Sequence, residues 1–253
     1  MLRDLVPLLL LGIAWAGPVQ SGTPDSVYDF NPDMAEFYSK VSDYINSATD
    51  KSASCDVSTV SLPPDASGLP APNATLKYVL LGIGTQNYTC VDSTASTEPK
   101  AAGAVANLYD ASCLAANYPD LLLLVTKIGL NQRIATAAMS VLPPSNINLV
   151  GYHYFSDKTT AVFNLDTTAD RQFGVALSNK VAQTPPPADA VRGPNNEGNG
   201  AVDWLYLRTI DGTTCGYTSI YRVNTAGGKP PETCAGMPEE FTVDYSANYF
   251  MYA

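Results

Sequence analysis

One segment, Leu76–Cys90, limits the choice of fold more than any other. It reads Leu-Lys-Tyr-Val-Leu-Leu-Gly-Ile-Gly-Thr-Gln-Asn-Tyr-Thr-Cys, an apolar strand running into Gly82-x-Gly84. A dinucleotide-binding fold needs a third glycine three residues further on, opening a helix whose N-terminus holds the pyrophosphate. Asn87 occupies that position, and the residues after Gly84 are strand-like. Such a domain also normally begins with this strand, whereas here a helical segment and a long loop come first. The expectation is two paired strand pieces, with Gly82 and Gly84 permitting a bulge or tight bend between them. Neither a nucleotide nor any other cofactor is expected.

Downstream, short segments rich in β-branched and aromatic residues alternate with turn clusters. Lys77–Leu81, Tyr88–Asp92, Ala104–Tyr109, Leu149–Phe155, Thr160–Leu165, Val202–Arg208, Ser219–Val223 and Thr242–Tyr245 are the strand candidates. Phe155–Thr159 reads as a hairpin turn. Asn117–Met139 leans towards helix, weakened by Gly129. Residues 183–200, rich in Pro, Asn and Gly, read as a plain loop in preference to an active-site lid. Nearer the N-terminus, Asn31 can cap a helix and Pro32 suits its first position. Met34, Phe37, Tyr38, Val41, Tyr44 and Ile45 then share one helical face, expected to dock onto the main domain. The architecture expected is mainly β: an antiparallel barrel or sandwich with an N-terminal helix and one or two short additional helices. The expected division is a signal peptide over residues 1–16, a leader with the amphipathic helix and a loop over 17–68, and one β-rich domain over 69–253.

The signal reading rests on Arg3, the apolar run Leu5–Trp15 and the small-x-small site Ala14-Trp15-Ala16, with cleavage after Ala16. That run is short of the ~20 apolar residues that a membrane span needs. Its removal takes away Arg3 and Asp4 together and leaves the net charge at -10. This balance opposes nucleic acid and anionic membrane surfaces as partners. A secreted location, in the medium or at a cell wall, gives meaning to the sequons at Asn73 and Asn87 and makes disulfides the default for the five cysteines. Two bridges and one free thiol follow, in any of three connectivities for a given four cysteines. The sequence does not specify an oligomeric state.

Chemistry-bearing residues are sparse. His153 is the sole histidine, so a polyhistidine metal centre is excluded and no metal site is expected. There is no Gly-x-Ser-x-Gly elbow. Asp166, Asp203, Asp211 and Asp244 leave acid–base chemistry by paired carboxylates open. The aromatics Tyr88, Tyr152, Tyr154, Trp204, Tyr206, Tyr221, Tyr245, Tyr249, Phe250 and Tyr252 all sit in or near strand candidates. They either line a cavity for a sugar-like or aromatic ligand or fill the core, the second being the commoner use. Arg222 either clamps an anion in a bidentate fork or, the favoured reading, pairs with Asp203 or Asp244 across strands.

Three blocks carry a family resemblance. They are Leu76-Lys-Tyr-Val…Gly84-Thr-Gln-Asn-Tyr-Thr-Cys90, Gly151-Tyr-His-Tyr-Phe155, and Asp203-Trp-Leu-Tyr-Leu207 with the stretches Tyr221–Cys234 and Val243–Tyr252. Together they resemble the domain-of-unknown-function family numbered 3455, found in secreted fungal and bacterial proteins, from about Leu69 to the C-terminus. The resemblance implies a secreted protein without an established activity. Some fungal relatives carry a malate dehydrogenase label, which the residues here do not support. Because Cys90 and Cys234 lie in shared blocks, the resemblance implies their pairing. Cys55 with Cys113 then follows, leaving Cys215 free. The function expected is a binding or surface-interaction module for a neutral sugar-like or aromatic ligand, a glycan or other small molecule, contacted by Tyr88, His153, Trp204, Tyr221 and Arg222. No catalytic residue is assigned. The alternatives are a hydrolase or isomerase using His153 or paired aspartates such as Asp203, and a structural cell-wall protein without a ligand.

Overall fold

The computed structural model describes residues 32–47, 55–131, 141–142, 147–168 and 171–253. The proposed signal, the Asn31 cap, residues 132–139 of the ambiguous helix and the Tyr44–Ile45 side chains fall outside the described residues. The described elements are α1 (Pro32–Ser47), β1 (Leu76–Thr89), β2 (Lys100–Asp110), α2 (Ser112–Asn117), α3 (Pro119–Asn131), β3 (Val141–Leu142), β4 (Ile147–Phe155), β5 (Ala161–Thr168), β6 (Arg171–Thr184), β7 (Trp204–Thr209), β8 (Ser219–Gly227) and β9 (Glu240–Tyr252).

All strand pairings are antiparallel. The order β2-β1-β9-β8-β7-β6-β5-β4 closes through a further β2–β4 pairing, and the two-residue β3 joins the start of β4. Eight strands thus form a ring, the barrel among the two expected architectures. Closure satisfies the backbone groups that an open sheet leaves bare at its edges.

The ring has two cores. Inside, Leu80, Leu108, Val150, Leu165, Ile220 and Met251 belong to one buried cluster. Outside, α3 packs on β1, β8 and β9, α2 on β1 and α1 on α3, and together they bury a second cluster that includes Leu121, Val125, Ile128, Leu81, Val223 and Phe250. A strand between two cores is buried on both faces, and β9 is buried continuously from Tyr245 to Tyr252. There Tyr245, Ala247, Tyr249 and Met251 face inward, while Phe250 and Tyr252 face the helices. Ser246 Oγ donates to the Thr126 carbonyl of α3 at 2.6 Å, fixing the helix against the strand.

β1 corrects the expected bend. It runs unbroken through Gly82 and Gly84, paired with β2 and β9 at both positions, and its register against β2 shifts only between Gln86 and Tyr88. The glycines serve close approach instead. A Cβ at Gly82 would lie 2.5 Å from Tyr249 Cε2, and one at Gly84 would overlap the Val105 carbonyl of β2. The expected turn after Phe155 forms as a tight hairpin. Ser156 N donates to the Thr160 carbonyl at 3.1 Å, and Asp157 Oδ1 accepts from the backbone N–H of Thr159 (2.7 Å) and Thr160 (2.8 Å).

The N-terminal segments are part of this architecture. α1 buries Met34 and Phe37 in the outer core, and Lys40 Nζ lies 3.1 Å from Asp120 Oδ2 at the start of α3. Residues Ala66 and Leu69 are buried in the same cluster. One disulfide joins Cys55 to Cys113 on α2, and the other joins Cys90, just past β1, to Cys234 ahead of β9. Cys215 is free and exposed. This is the pairing that the resemblance implies. No helix among the described residues is long and apolar enough to cross a membrane.

Candidate functional site

One end of the barrel interior is filled and the other is not. Towards the C-terminal ends of β1, β4 and β6 a cavity of about 740 Å³ remains, open at the mouth. Alternation decides which side chains reach it. On β4 Tyr152 and Tyr154 point out and are exposed, so His153 points in and is buried. On β7 Leu205 and Leu207 line the cavity, which sends Trp204 and Tyr206 into the outer core. On β8 Arg222 lines the cavity, which sends Tyr221 and Val223 outward.

Of the residues singled out from sequence, Tyr88, His153, Asp203 and Arg222 therefore meet in one cavity. Trp204 and Tyr221 do not line it. Trp204 is buried beneath the helical layer, with Nε1 lacking a hydrogen-bond partner among the described residues. The Tyr221 ring sits 5.0 Å from Tyr206 and 5.4 Å from Tyr252, and its hydroxyl donates to the Pro70 carbonyl at 2.8 Å. Period-two alternation excludes both residues once their neighbours face inward. The four aspartates do not converge, since only Asp203 borders the cavity; Asp166 instead accepts from Gly174 N at 2.6 Å. Asn73 is exposed, and Asn87 is half-buried on β1. The loop after β6 is no lid. Its backbone is pinned outside the barrel by Gly227 N to the Val191 carbonyl at 2.8 Å and by Asn195 N to Asn131 Oδ1 at 2.6 Å.

The chemistry of each group follows from its neighbours. His153 Nδ1 lies 2.9 Å from the Val162 carbonyl, which can only accept, so this nitrogen carries the proton. The ring stacks on Phe163 at 4.3 Å and 14°. Burial holds its pKa down to about 4, so the imidazole is neutral at neutral pH. Tyr88 donates to the Gly228 carbonyl at 2.7 Å, and burial pushes its phenol up to about 12. Tyr245 and Tyr249, wholly inside, share a hydroxyl–hydroxyl contact of 2.9 Å, and burial pushes both phenols up.

Arg222 departs from the favoured expectation. It does contact Asp203, but through the main chain: Nε and Nη2 donate to the Asp203 carbonyl at 3.2 and 2.9 Å. The Asp203 carboxylate accepts from Gln183 Nε2 at 2.9 Å instead. Asp244 is exposed on β9. Among the described residues the one ion pair is Lys40–Asp120, so the Arg222 guanidinium has no carboxylate partner.

Sequence reasoning passed over Gln86, Asn179, Lys180 and Lys229, which also line the cavity. Polar residues on strands usually face solvent, and nothing local marks these as facing a cavity. The dinucleotide reading finds no support in the geometry, because Gly82 and Gly84 lie within paired β1 and the chain continues to an antiparallel β2.

No curated protein and no solved structure matches the chain significantly. Residues 8–70 are similar to a family described as protein of unknown function, DUF2990. Residues 70–253, the whole barrel with α2 and α3, match the family described as protein of unknown function, DUF3455, and the chain belongs to that family.

Proposed function

We propose that this protein is a secreted barrel that binds a small organic molecule in its half-open interior. The observation that carries this is the cavity. Barrels of eight strands generally have interiors that side chains can fill, and one that leaves room at one mouth holds space for a ligand. Its volume falls within the ~300–1,000 Å³ of small-molecule sites, and its lining combines apolar side chains such as Phe155, Leu205 and Leu207 with convergent polar groups. Two disulfides, together with a signal-like N-terminus and the sequons at Asn73 and Asn87, support secretion and glycosylation.

The enzyme alternative draws on His153 and Asp203 bordering one cavity. A neutral imidazole already committed through Nδ1 to a backbone carbonyl suits a hydrogen-bond acceptor better than a general base, whose pKa should lie near the working pH. Binding is therefore the reading adopted. Isothermal titration with 2-naphthoate and 2-naphthalenemethanol tests it. We expect saturable one-to-one binding of at least one of them, abolished by Leu205→Trp, which fills the cavity. If neither binds at millimolar concentration, or Leu205→Trp binds as well as the parent with its fold intact, the interior is not the site.

A further inference from the structure

We propose that the cavity selects a small monocarboxylate with an apolar body, its carboxylate seated on Arg222. This rests on the binding reading above and names its ligand class. Arg222 is 9% exposed, and no carboxylate lies within ion-pair distance of it among the described residues. A guanidinium cannot shed its proton, so its charge stays on at any physiological pH. Buried charges are ordinarily paired, because taking an ion out of water without a counter-charge is costly. Two of its N–H groups hold the Asp203 carbonyl, which fixes the orientation of the guanidinium without neutralising it. The one carboxylate lining the cavity, that of Asp203, is engaged by Gln183.

The rest of the lining has the same bias. Besides Arg222, the cationic residues bordering the cavity are Lys158, Lys180 and Lys229, all exposed at its mouth, against Asp203 alone. The chain as a whole carries a net charge of -10. A cationic mouth on a strongly acidic protein reverses the sign of the local field and draws anions to that opening. Gln86, Asn179 and Gln183 add amide groups to the lining.

One buried cation, not a cluster, suits a monoanion, and the planar fork suits a carboxylate. The body of the ligand faces Phe155, Ala161, Leu205, Leu207 and the Tyr249 ring, which favour an aliphatic or aromatic frame over a bare polar anion. Neutral His153, through its free Nε2, can accept a hydrogen bond from a hydroxyl on that frame. This ligand class differs from the neutral ligand expected from sequence in its anionic group, which the unpaired Arg222 supports.

The test compares two probes that differ only at the anionic group, 2-naphthoate and 2-naphthalenemethanol, by isothermal titration against the full protein. We expect naphthoate to bind the parent roughly tenfold or more tighter, the range of a charge-assisted hydrogen bond. Arg222→Gln should erase that preference by weakening naphthoate at least tenfold more than the alcohol. Arg222→Lys, which keeps the charge but not the fork, should retain part of it. Equal affinity of the parent for both probes overturns the inference, whatever the variants do. So does an Arg222→Gln protein, folded by circular dichroism, that weakens both probes alike, since Arg222 would then act only in packing. If the parent binds neither probe, the failure lies with the binding reading itself.

Discussion

His153 shows how a single side chain ties the site to the stability of the barrel. In the unfolded chain its imidazole titrates near 6.5, and burial lowers this to about 4 in the native state. Above pH 6.5 both states are neutral and the difference contributes nothing. As the pH falls from 6.5 towards 4 the unfolded chain takes up its proton first, so stability is lost, by on the order of 3 kcal/mol when complete. The carboxylates of Asp56, Asp92 and Asp157 are held below their usual range by hydrogen bonds, and their contribution is lost only below pH 3.8. The two windows are therefore separate. Urea unfolding at pH 7.5, 5.5 and 4.5 should show this loss in the parent and its absence in His153→Asn, whose amide can still donate to Val162. Parallel losses in both proteins would place the titrating group elsewhere. Arg222 and Asp203 illustrate the limit of pair reasoning at this scale. The sequence leaves Asp203 and Asp244 both open as partners; the bond runs to the Asp203 carbonyl, while its carboxylate accepts from Gln183.

At the scale of elements, the clearest signals were those with a strong local code. The hairpin at Asp157, the helix from Pro32 and the β4, β5 and β7 segments all have turn chemistry or alternation to mark them. β6 was not identified. Its span carries Gly174, Ser178, Asn179, Lys180 and Gln183, poor strand formers on local grounds. Its second half meets the cavity through Asn179 and Gln183 and solvent through Val181, which is 56% exposed, so the alternation of Phe173, Val175 and Leu177 does not continue along the strand. β9 is only partly legible for another reason: it is buried on both faces from Tyr245 to Tyr252, where Ser246 and Asn248 are as buried as the aromatics around them, so polarity does not mark its faces. The Cys90–Cys234 bridge joins elements 144 residues apart in sequence, flanking the β1–β9 seam. Replacing both cysteines by alanine should lower the unfolding free energy by about 2–5 kcal/mol. Cys215→Ser, at an exposed free thiol, should leave it within about 0.5 kcal/mol. Guanidinium titrations of the two variants check both statements, and a neutral result for the double alanine variant would show that the seam needs no staple.

Across the whole molecule, the ring and its helical cover act together. A ligand that binds only the closed barrel must stabilise it, by about 2.7 kcal/mol at a concentration one hundred times its dissociation constant. Calorimetric melting of the parent should therefore shift upward with 2-naphthoate, and that of Leu205→Trp should not; a shift shared by both proteins would point to a second site. The sequence by itself determined the β-rich class, the short helices, the hairpin at Asp157 and, through its family blocks, the cysteine pairing, because each of these is written in local composition or in shared motifs. It also brought out Tyr88, His153 and Arg222 as residues of interest. Only the tertiary structure decided which face of each strand looks inward. Alternation is visible along a strand, but its phase is not, when helices bury the outer face as thoroughly as closure buries the inner one. That is why Trp204 and Tyr221, one residue out of step with Leu205 and Arg222, lie behind the wall, and why the unpaired charge of Arg222 came into view only once the ring was closed.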